Sequence, residues 1–330
     1  MDTKGFYGTE KNNAIAYLEF GEIDTVKGKK KVWDFRLHQK AYDWLMLSRY
    51  ANDLLAFNAM KKMIGVKSEQ AIIDCFNREV HHDEEMAVHL AQYAAIAVTQ
   101  DEPVLASPSF YELGQTIFGC IEGMELYYDL LVHLGIECPR INFKYIEWFG
   151  VDISEMFNEL AAIFHKEYKI KTALLQSGLP KKVDVFFSKG ITLLYAVRDL
   201  PGLFNTIRKG RLAVFDYSLS MDKIEDTTIG SGKMVRYLPV KDFMNEIKKY
   251  KESLYIKKSN SRFIPETNRV WLDCIYAEEK VCKEYIELET RIRKAASKKL
   301  SSLNGSGRFL NNDNSPEWIS IKEFMKGICK

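Results

Sequence analysis

An acidic residue separates a predicted strand from a predicted helix near the middle of the chain. The apolar run that begins at Tyr145 ends at Asp152, Ser154 follows as a candidate helix N-cap, and residues 155–165 carry apolar side chains at helical spacing. In a parallel α/β sheet, ligands bind outside the carboxyl ends of the strands, where a carboxylate can accept hydrogen bonds from both ribose hydroxyls. Asp152 is therefore the first candidate for a nucleoside site.

Histidines and carboxylates offer acid–base chemistry elsewhere in the chain. His82, Glu85 and His89 are spaced to share one helical face, which would suit a metal or a general base, but the pattern is not HExxH and is more typical of a solvated polar face. We expect no metal. A histidine titrates near neutral pH, so His81 and His82 are candidate catalytic bases, and Asp216, after an apolar run, is a third.

Strands and helices are predicted to alternate beyond the two prolines of residues 101–108, which mark a domain boundary. Strands are predicted at 110–114, 145–152, 168–175, 183–188 and 212–216, and helices at 117–134, 154–165 and 191–208. Such short alternation predicts right-handed βαβ units and a mostly parallel sheet with helices on both faces.

The region after this alternation is predicted to differ from it. Residues 222–233 are polar and glycine-containing, which favours a loop that covers a site. The extended runs 253–257 and 269–276 are separated by too few residues for a crossover helix, so they should pair antiparallel. Residues 277–300 have Glu, Lys and Ala at helical spacing, as in an exposed or partner-facing helix.

The two ends of the chain give weaker patterns. Residues 14–37 alternate loosely, as in a β-hairpin or an ordered arm, and the segments 37–64 and 68–98 have helical spacing. The polar, glycine- and asparagine-rich stretch before residue 315 predicts a mobile tail, after which Trp318 and Phe324 are expected to dock a short last helix.

Composition narrows the class of protein. Lys and Arg number 47 against 45 Asp and Glu, a formal charge of +2, which gives no electrostatic reason to expect nucleic acid as a partner. The six cysteines form no CxxC pair and are expected to be reduced packing residues. No run reaches the roughly 18 apolar residues that span a bilayer, and the first residues lack a signal-peptide core, so we expect a cytoplasmic protein without membrane contact.

Four motifs occur in the order of the predicted strands. They are Tyr111-Glu-Leu-Gly-Gln-Thr-Ile-Phe-Gly119, Trp148-Phe-Gly-Val-Asp-Ile-Ser154, Val183-Asp-Val-Phe-Phe-Ser-Lys-Gly190 and Leu212-Ala-Val-Phe-Asp-Tyr-Ser218. As an ordered set, with a final antiparallel pair, they resemble class I S-adenosylmethionine-dependent methyltransferases, and among these the sugar O-methyltransferase family. The resemblance covers residues 108–276. It implies an α/β, Rossmann-like fold with a C-terminal antiparallel strand pair and an N-terminal helical domain.

The resemblance assigns seven residues to an S-adenosyl-L-methionine site: Glu112, Gly114, Asp152, Ile153, Gln176, Ser188 and Lys189. Glu112 would hold the methionine ammonium, Gly114 would let the backbone approach the cofactor, and Asp152 would bind the ribose. The adenine edge would be read near Gln176, and the methyl donor would lie beside Ser188. The glycines at 114, 119 and 123 depart from the tight GxGxG spacing of many methyltransferases, and GxGxxG is absent as well.

These expectations combine into one domain scheme and three candidate functions. Residues 1–100 would form a helical cap for substrate or for oligomerisation, 108–277 the S-adenosylmethionine-binding domain, and 278–330 a C-terminal helix and tail. The first function is O-methylation of a small-molecule acceptor, with a sugar hydroxyl favoured by the resemblance. An NAD-dependent dehydrogenase or epimerase and a non-catalytic scaffold that binds partners through 277–300 remain the alternatives.

Overall fold

The computed structural model describes residues 20–25, 28–33, 62, 83–100, 108–114, 118–152, 155–174, 182–189, 200–220, 225–228, 234–258, 269–302 and 318–328. The strands are β1 (Phe20–Thr25), β2 (Gly28–Trp33), β3 (Ser109–Leu113), β4 (Glu147–Asp152), β5 (Lys169–Leu174), β6 (Val183–Ser188), β7 (Gly210–Ser220), β8 (Glu225–Thr228), β9 (Met234–Pro239), β10 (Ser253–Lys258), β11 (Arg269–Ala277) and β12 (Ile319–Ser320). The helices are α1 (Asp83–Thr99), α2 (Gly119–His133), α3 (Glu155–Phe164), α4 (Leu200–Ile207), α5 (Val240–Ile247), α6 (Glu279–Ser302) and α7 (Ile321–Ile328).

The main sheet has the strand order β12-β10-β11-β7-β6-β3-β4-β5. Strands β3 to β7 pair in parallel, whereas β11 pairs antiparallel with both β7 and β10. Parallel strands buried on both faces need apolar side chains throughout, and β6 has the sequence VDVFFS with five of its six residues buried. The predicted fold class, a mostly parallel α/β sheet with a C-terminal antiparallel pair, is confirmed.

Two apolar layers cover the two faces of this sheet. On the first, which we call the α1 face, Phe110, Trp148 and Phe187 pack with side chains of α1, α2 and α6. On the second, the α5 face, Tyr111 and Phe186 stack on each other at 5.5 Å and share a core with α4 and α5. Alternate residues of each strand thus contribute to opposite layers.

Strand β7 is longer than the predicted 212–216 and runs from Gly210 to Ser220. Its extra residues have pairing partners, because β11 follows it from Ala277 back to Arg269 and β9 pairs with it at Leu219 and Ser220. The sequence predicted Asp216 at the tip of this strand, but Asp216 lies inside the strand.

The predicted loop at 222–233 also contains a strand. The polar residues of β8 pair antiparallel with β9 through backbone hydrogen bonds. This hairpin follows the part of β7 that extends past the neighbouring parallel strands. The last two residues of β9 pair with Leu219 and Ser220, beyond the level at which β6 ends.

The ends of the chain partly match their predictions. Strands β1 and β2 form the expected hairpin, with two residues between them. The predicted helix at 37–64 and the mobile tail before Trp318 lie outside the described residues, Lys62 excepted. Helix α6 was expected to be exposed or to face a partner, but Cys282, Tyr285 and Ile292 place one side of it in the core of this chain.

Candidate functional site

The order in which successive strands join the sheet reverses at strand β3. Strand β4 lies on one side of β3 and β6 on the other, so the connections after these strands leave on opposite sides. A crevice opens between the carboxyl ends of two such strands, and it is the usual ligand site of open α/β sheets. The candidate site is therefore the carboxyl edge around β3 and β6.

Strand register places the predicted residues along this edge. Five residues of adjacent strands lie side by side on one level across the sheet, each paired with its neighbour: Val151, Leu113, Ser188, Phe215 and Cys274. The next residue towards the carboxyl edge on each strand forms a second level, which we call the edge row: Asp152, Gly114, Lys189, Asp216 and Asp273. By alternation its side chains belong to the α1 face, as does that of Glu112. The structure thus brings five of the sequence-predicted site residues together.

The turn after β3 has an unusual backbone. Gly114 has a φ of 78°, in the left-handed region that favours glycine, and its N–H donates to the carbonyl of Val151 at 2.8 Å. Phe118, the residue before α2, has a φ of 55° although it carries a bulky side chain. Such a conformation costs on the order of 1–3 kcal/mol and persists mainly at functional sites. The loop with the atypical glycine spacing is therefore a strained connection at the site.

Glu112 lies half-buried immediately before this turn. Burial raises its pKa to about 8; the charge of Asp152 adds to the rise, while a hydrogen bond from the Cys120 thiol opposes it. The thiol donates to Oε2 of Glu112 at 3.0 Å. At neutral pH this carboxyl group therefore holds its proton most of the time, and a cation beside it would favour ionisation.

Asp152 ends β4 and is 6% exposed. It lies at the carboxyl end of the strand, as its sequence predicted. Ser188 has a different environment, since it is fully buried and its hydroxyl donates to the carbonyl of Leu113 at 3.5 Å. Lys189, which follows it, is exposed and forms an ion pair with Asp273, with 3.3 Å between Nζ and Oδ1. Of these two predicted residues, the lysine is the one that faces the edge.

Asp273 was not predicted from the sequence as a site residue. It lies directly opposite Asp216 in the antiparallel pair of β7 and β11. The sequence predicted that β11 pairs antiparallel with β10, but not that its other side pairs antiparallel with β7 in the register that places two aspartates opposite each other. No pattern within residues 269–276 marks this residue.

The remaining predicted residues are placed as follows. His81, His82, Ile153 and Gln176 lie outside the described residues. His89 contacts Gly123 of α2, its Nδ1 lies 3.0 Å from Oε1 of Gln92, and burial lowers its pKa to about 4.

Two further findings concern other kinds of site. Within the described ranges, no group of three His, Cys, Asp or Glu side chains converges as a metal site. No helix in the same ranges is long and apolar enough to cross a membrane.

Comparison with known proteins gives fold-level likenesses only. No protein-family model matches the chain, and no curated protein matches it. Solved structures that resemble it include the glycopeptide N-methyltransferase MtfA complexed with (S)-adenosyl-L-methionine, at 14% identity and a TM-score of 0.33, over 57% of this chain and 92% of that one.

Two further solved structures give similar values. An S-adenosylmethionine-dependent methyltransferase from Mesorhizobium loti has 14% identity and a TM-score of 0.34, over 56% of this chain and 99% of its own. A TehB-like methyltransferase from Corynebacterium glutamicum has 13% identity and a TM-score of 0.31, over 57% and 88%. At these scores the fold assignment rests on the strand order of the chain itself.

Proposed function

We propose that this protein is an S-adenosyl-L-methionine-dependent methyltransferase that acts on a hydroxyl of a small molecule. One observation carries the proposal: Asp152, Gly114 and Glu112 meet at the switch point of a sheet whose parallel strands are followed by an antiparallel pair. The strand order agrees with the fold that the sequence motifs imply, which supports the proposal.

Different residues of the chain would bind different parts of the cofactor. The Asp152 carboxylate would accept hydrogen bonds from the two ribose hydroxyls, each worth about 1.5–3 kcal/mol because the acceptor is charged. Glu112 would take the methionine ammonium, and Gly114 leaves room for the cofactor because it has no side chain. Ile153 and Gln176 are proposed for the adenosine end, and Ser188 supports the turn that carries Lys189.

The bound cofactor would supply a methyl group on a positively charged sulfur. The acceptor oxygen would form a bond to that carbon while the carbon–sulfur bond breaks and sulfur keeps the electron pair. The hydroxyl proton would pass to a base, for which Asp216, His81 and His82 are the candidates. Positioning of the two reactants in line accounts for most of the rate gain in such a displacement.

Calorimetric titration of the pure protein with S-adenosylhomocysteine tests the proposal. We expect binding to the native protein, and a loss of about 1.5–3 kcal/mol, or roughly 10- to 150-fold in affinity, for Asp152→Asn. Glu252→Gln is the control, since the Glu252 carboxylate pairs with Arg208 at 3.1 Å at the opposite edge of the sheet, away from the proposed site. Absence of S-adenosylhomocysteine binding, or tighter binding of NADH followed by fluorescence, would overturn the assignment.

A further inference from the structure

Strand β9 continues the line of β6 beyond the carboxyl edge of the sheet. Strand β11 occupies one side of β7 as far as its last residue, where Ser220 pairs with Arg269. The last two residues of β9 pair in parallel with Leu219 and Ser220, so they must lie on the other side of β7. Strand β6 occupies that side only as far as Phe215. The β8–β9 hairpin is therefore joined to the sheet directly beyond the end of β6.

This position is close to the expected methyl donor. The donor is expected beside Ser188, which is level with Phe215, whereas Leu238 of β9 is level with Leu219. Four residues of a strand span about 13 Å. Because β9 runs in the same direction as β6, the part of β9 that pairs with β8 precedes Leu238 and lies on the side nearer to Ser188. The hairpin is thus placed next to the donor, on the side away from the sheet.

Strand register also shows which positions of β9 share a face with the edge row. Leu219 belongs to the core on the α5 face, and its partner Leu238 takes the same face. Successive residues of a strand alternate between faces, so Tyr237 and Val235 occupy positions on the α1 face and Arg236 one on the α5 face. The α1 face is that of the edge row and of Glu112. Two neighbouring positions of one strand, 237 and 236, therefore differ in whether they share the face of the site.

The end of β7 supplies an independent observation. Ser220 is fully buried, and its hydroxyl has no hydrogen-bond partner in the described part of the chain. It follows Asp216 by four residues in the same strand and so belongs to the α1 face as well. A buried hydroxyl without a partner marks a place that a ligand or an ordered water completes. This place is level with Pro239 at the end of β9.

We infer that the β8–β9 hairpin, with the end of β7, is the acceptor-binding element of this protein, and that Tyr237 is a specificity-determining residue in it. The inference rests on the proposed function, because it presupposes a methyl donor beside Ser188. An element next to the donor limits the size of the group that the site accepts, since a larger group meets it and is rejected by the clash.

The test needs no identified acceptor. An analogue of S-adenosylmethionine with a benzyl group in place of the transferred methyl extends into the acceptor's side of the site. Calorimetry on the full chain compares its affinity with that of S-adenosylmethionine, which has the same charge. We expect the native protein to bind the benzyl analogue at least tenfold more weakly. Tyr237→Ala should reduce this difference to threefold or less, with the affinity for S-adenosylmethionine within twofold of the native value.

Arg236→Ala is the matched control, because it changes the adjacent residue of the same strand on the opposite face, and it should leave the difference unchanged. If Tyr237→Ala does not fold, Val235→Ala and Met234→Ala give the same comparison between the two faces. Equal effects on the two faces, no effect on the α1 face, or equal binding of both ligands by the native protein would overturn the inference. A native protein that binds neither S-adenosylmethionine nor S-adenosylhomocysteine would instead refute the proposed function.

Discussion

The charge of Glu112 depends on what binds beside it. Its pKa of about 8 in the folded chain is well above the usual range of a glutamate, because the group is buried near Asp152. The unfolded chain releases this proton at much lower pH, so folding stability declines as pH rises from about 4.5 to 8. A bound ammonium group would favour the ionised carboxylate and bring the pKa back down.

Cofactor affinity should therefore depend on pH through Glu112. Only the ionised carboxylate attracts the ammonium, so the affinity of the native protein for S-adenosylhomocysteine, relative to that of Glu112→Gln, should rise about tenfold between pH 7 and pH 9, measured by calorimetry. Glu112→Gln removes this titration and retains that of the ligand's own amine. The ratio of the two affinities isolates the contribution of Glu112, and a ratio that does not change with pH would contradict it.

Cys120 lowers the pH at which Glu112 titrates, against the larger effect of burial. Its thiol donates to Glu112 and favours the ionised form, so Cys120→Ala should move the rise in affinity to higher pH, whereas Cys120→Ser, which keeps a donor, should move it less.

At the scale of elements, Gly123 allows helices α1 and α2 to pack closely. A Cβ placed on Gly123 would lie 2.1 Å from both Cε1 and Nε2 of His89. Real atoms do not approach so closely, so the imidazole ring occupies the space that a side chain at position 123 would need. The last of the three glycines at 114, 119 and 123 is thus explained by helix packing, whereas Gly114 belongs to the turn after β3 and Gly119 begins α2.

Gly123→Ala should lower the free energy of unfolding. Alanine favours a helix by about 1 kcal/mol over glycine, but forced overpacking costs typically 1–3 kcal/mol, and displacement of a whole ring lies at the upper end. We expect a net loss of about 1–2 kcal/mol in urea unfolding. The double variant with His89→Ala should recover most of it, because the clash is then absent. An increase in stability for Gly123→Ala alone would show that the ring moves freely.

Strands with an apolar pattern of their own could be predicted from the sequence. A strand that forms only because a neighbouring strand pairs with it could not. The apolar run Val183–Ser188 matches β6 at both ends because a strand buried on both faces needs that run. In contrast, β8 consists of Glu-Asp-Thr-Thr and is a strand only because β9 pairs with it. The site divides in the same way. Asp152 and Gly114 follow apolar strands and could be found, whereas Asp273 depends on register with a distant strand.

At the scale of the whole molecule, the C-terminal segment closes one edge of the sheet. Strand β12 pairs with β10, so the row of backbone groups that β10 would otherwise expose is partly covered. Trp318, just before β12, donates from Nε1 to Oε2 of Glu289 at 3.3 Å, and Nζ of Lys257 lies 4.9 Å from the centre of its ring. Glu289 is buried and also pairs with Arg293 of the same helix. The segment therefore joins β10 to α6.

Removal of residues 318–330 should destabilise the protein and make it self-associate. The deletion exposes the outer edge of β10, a template for strand pairing between chains, and takes one hydrogen bond from the Glu289 carboxylate. We expect a free energy of unfolding lower by about 2–4 kcal/mol and concentration-dependent oligomers in light scattering. Trp318→Phe keeps the ring and the strand but removes the donor, so it should cost only about 1.5–3 kcal/mol and leave the oligomeric state unchanged. If the single substitution oligomerised as strongly as the deletion, the hydrogen bond to Glu289, and not the covered strand edge, would be what keeps the chains apart.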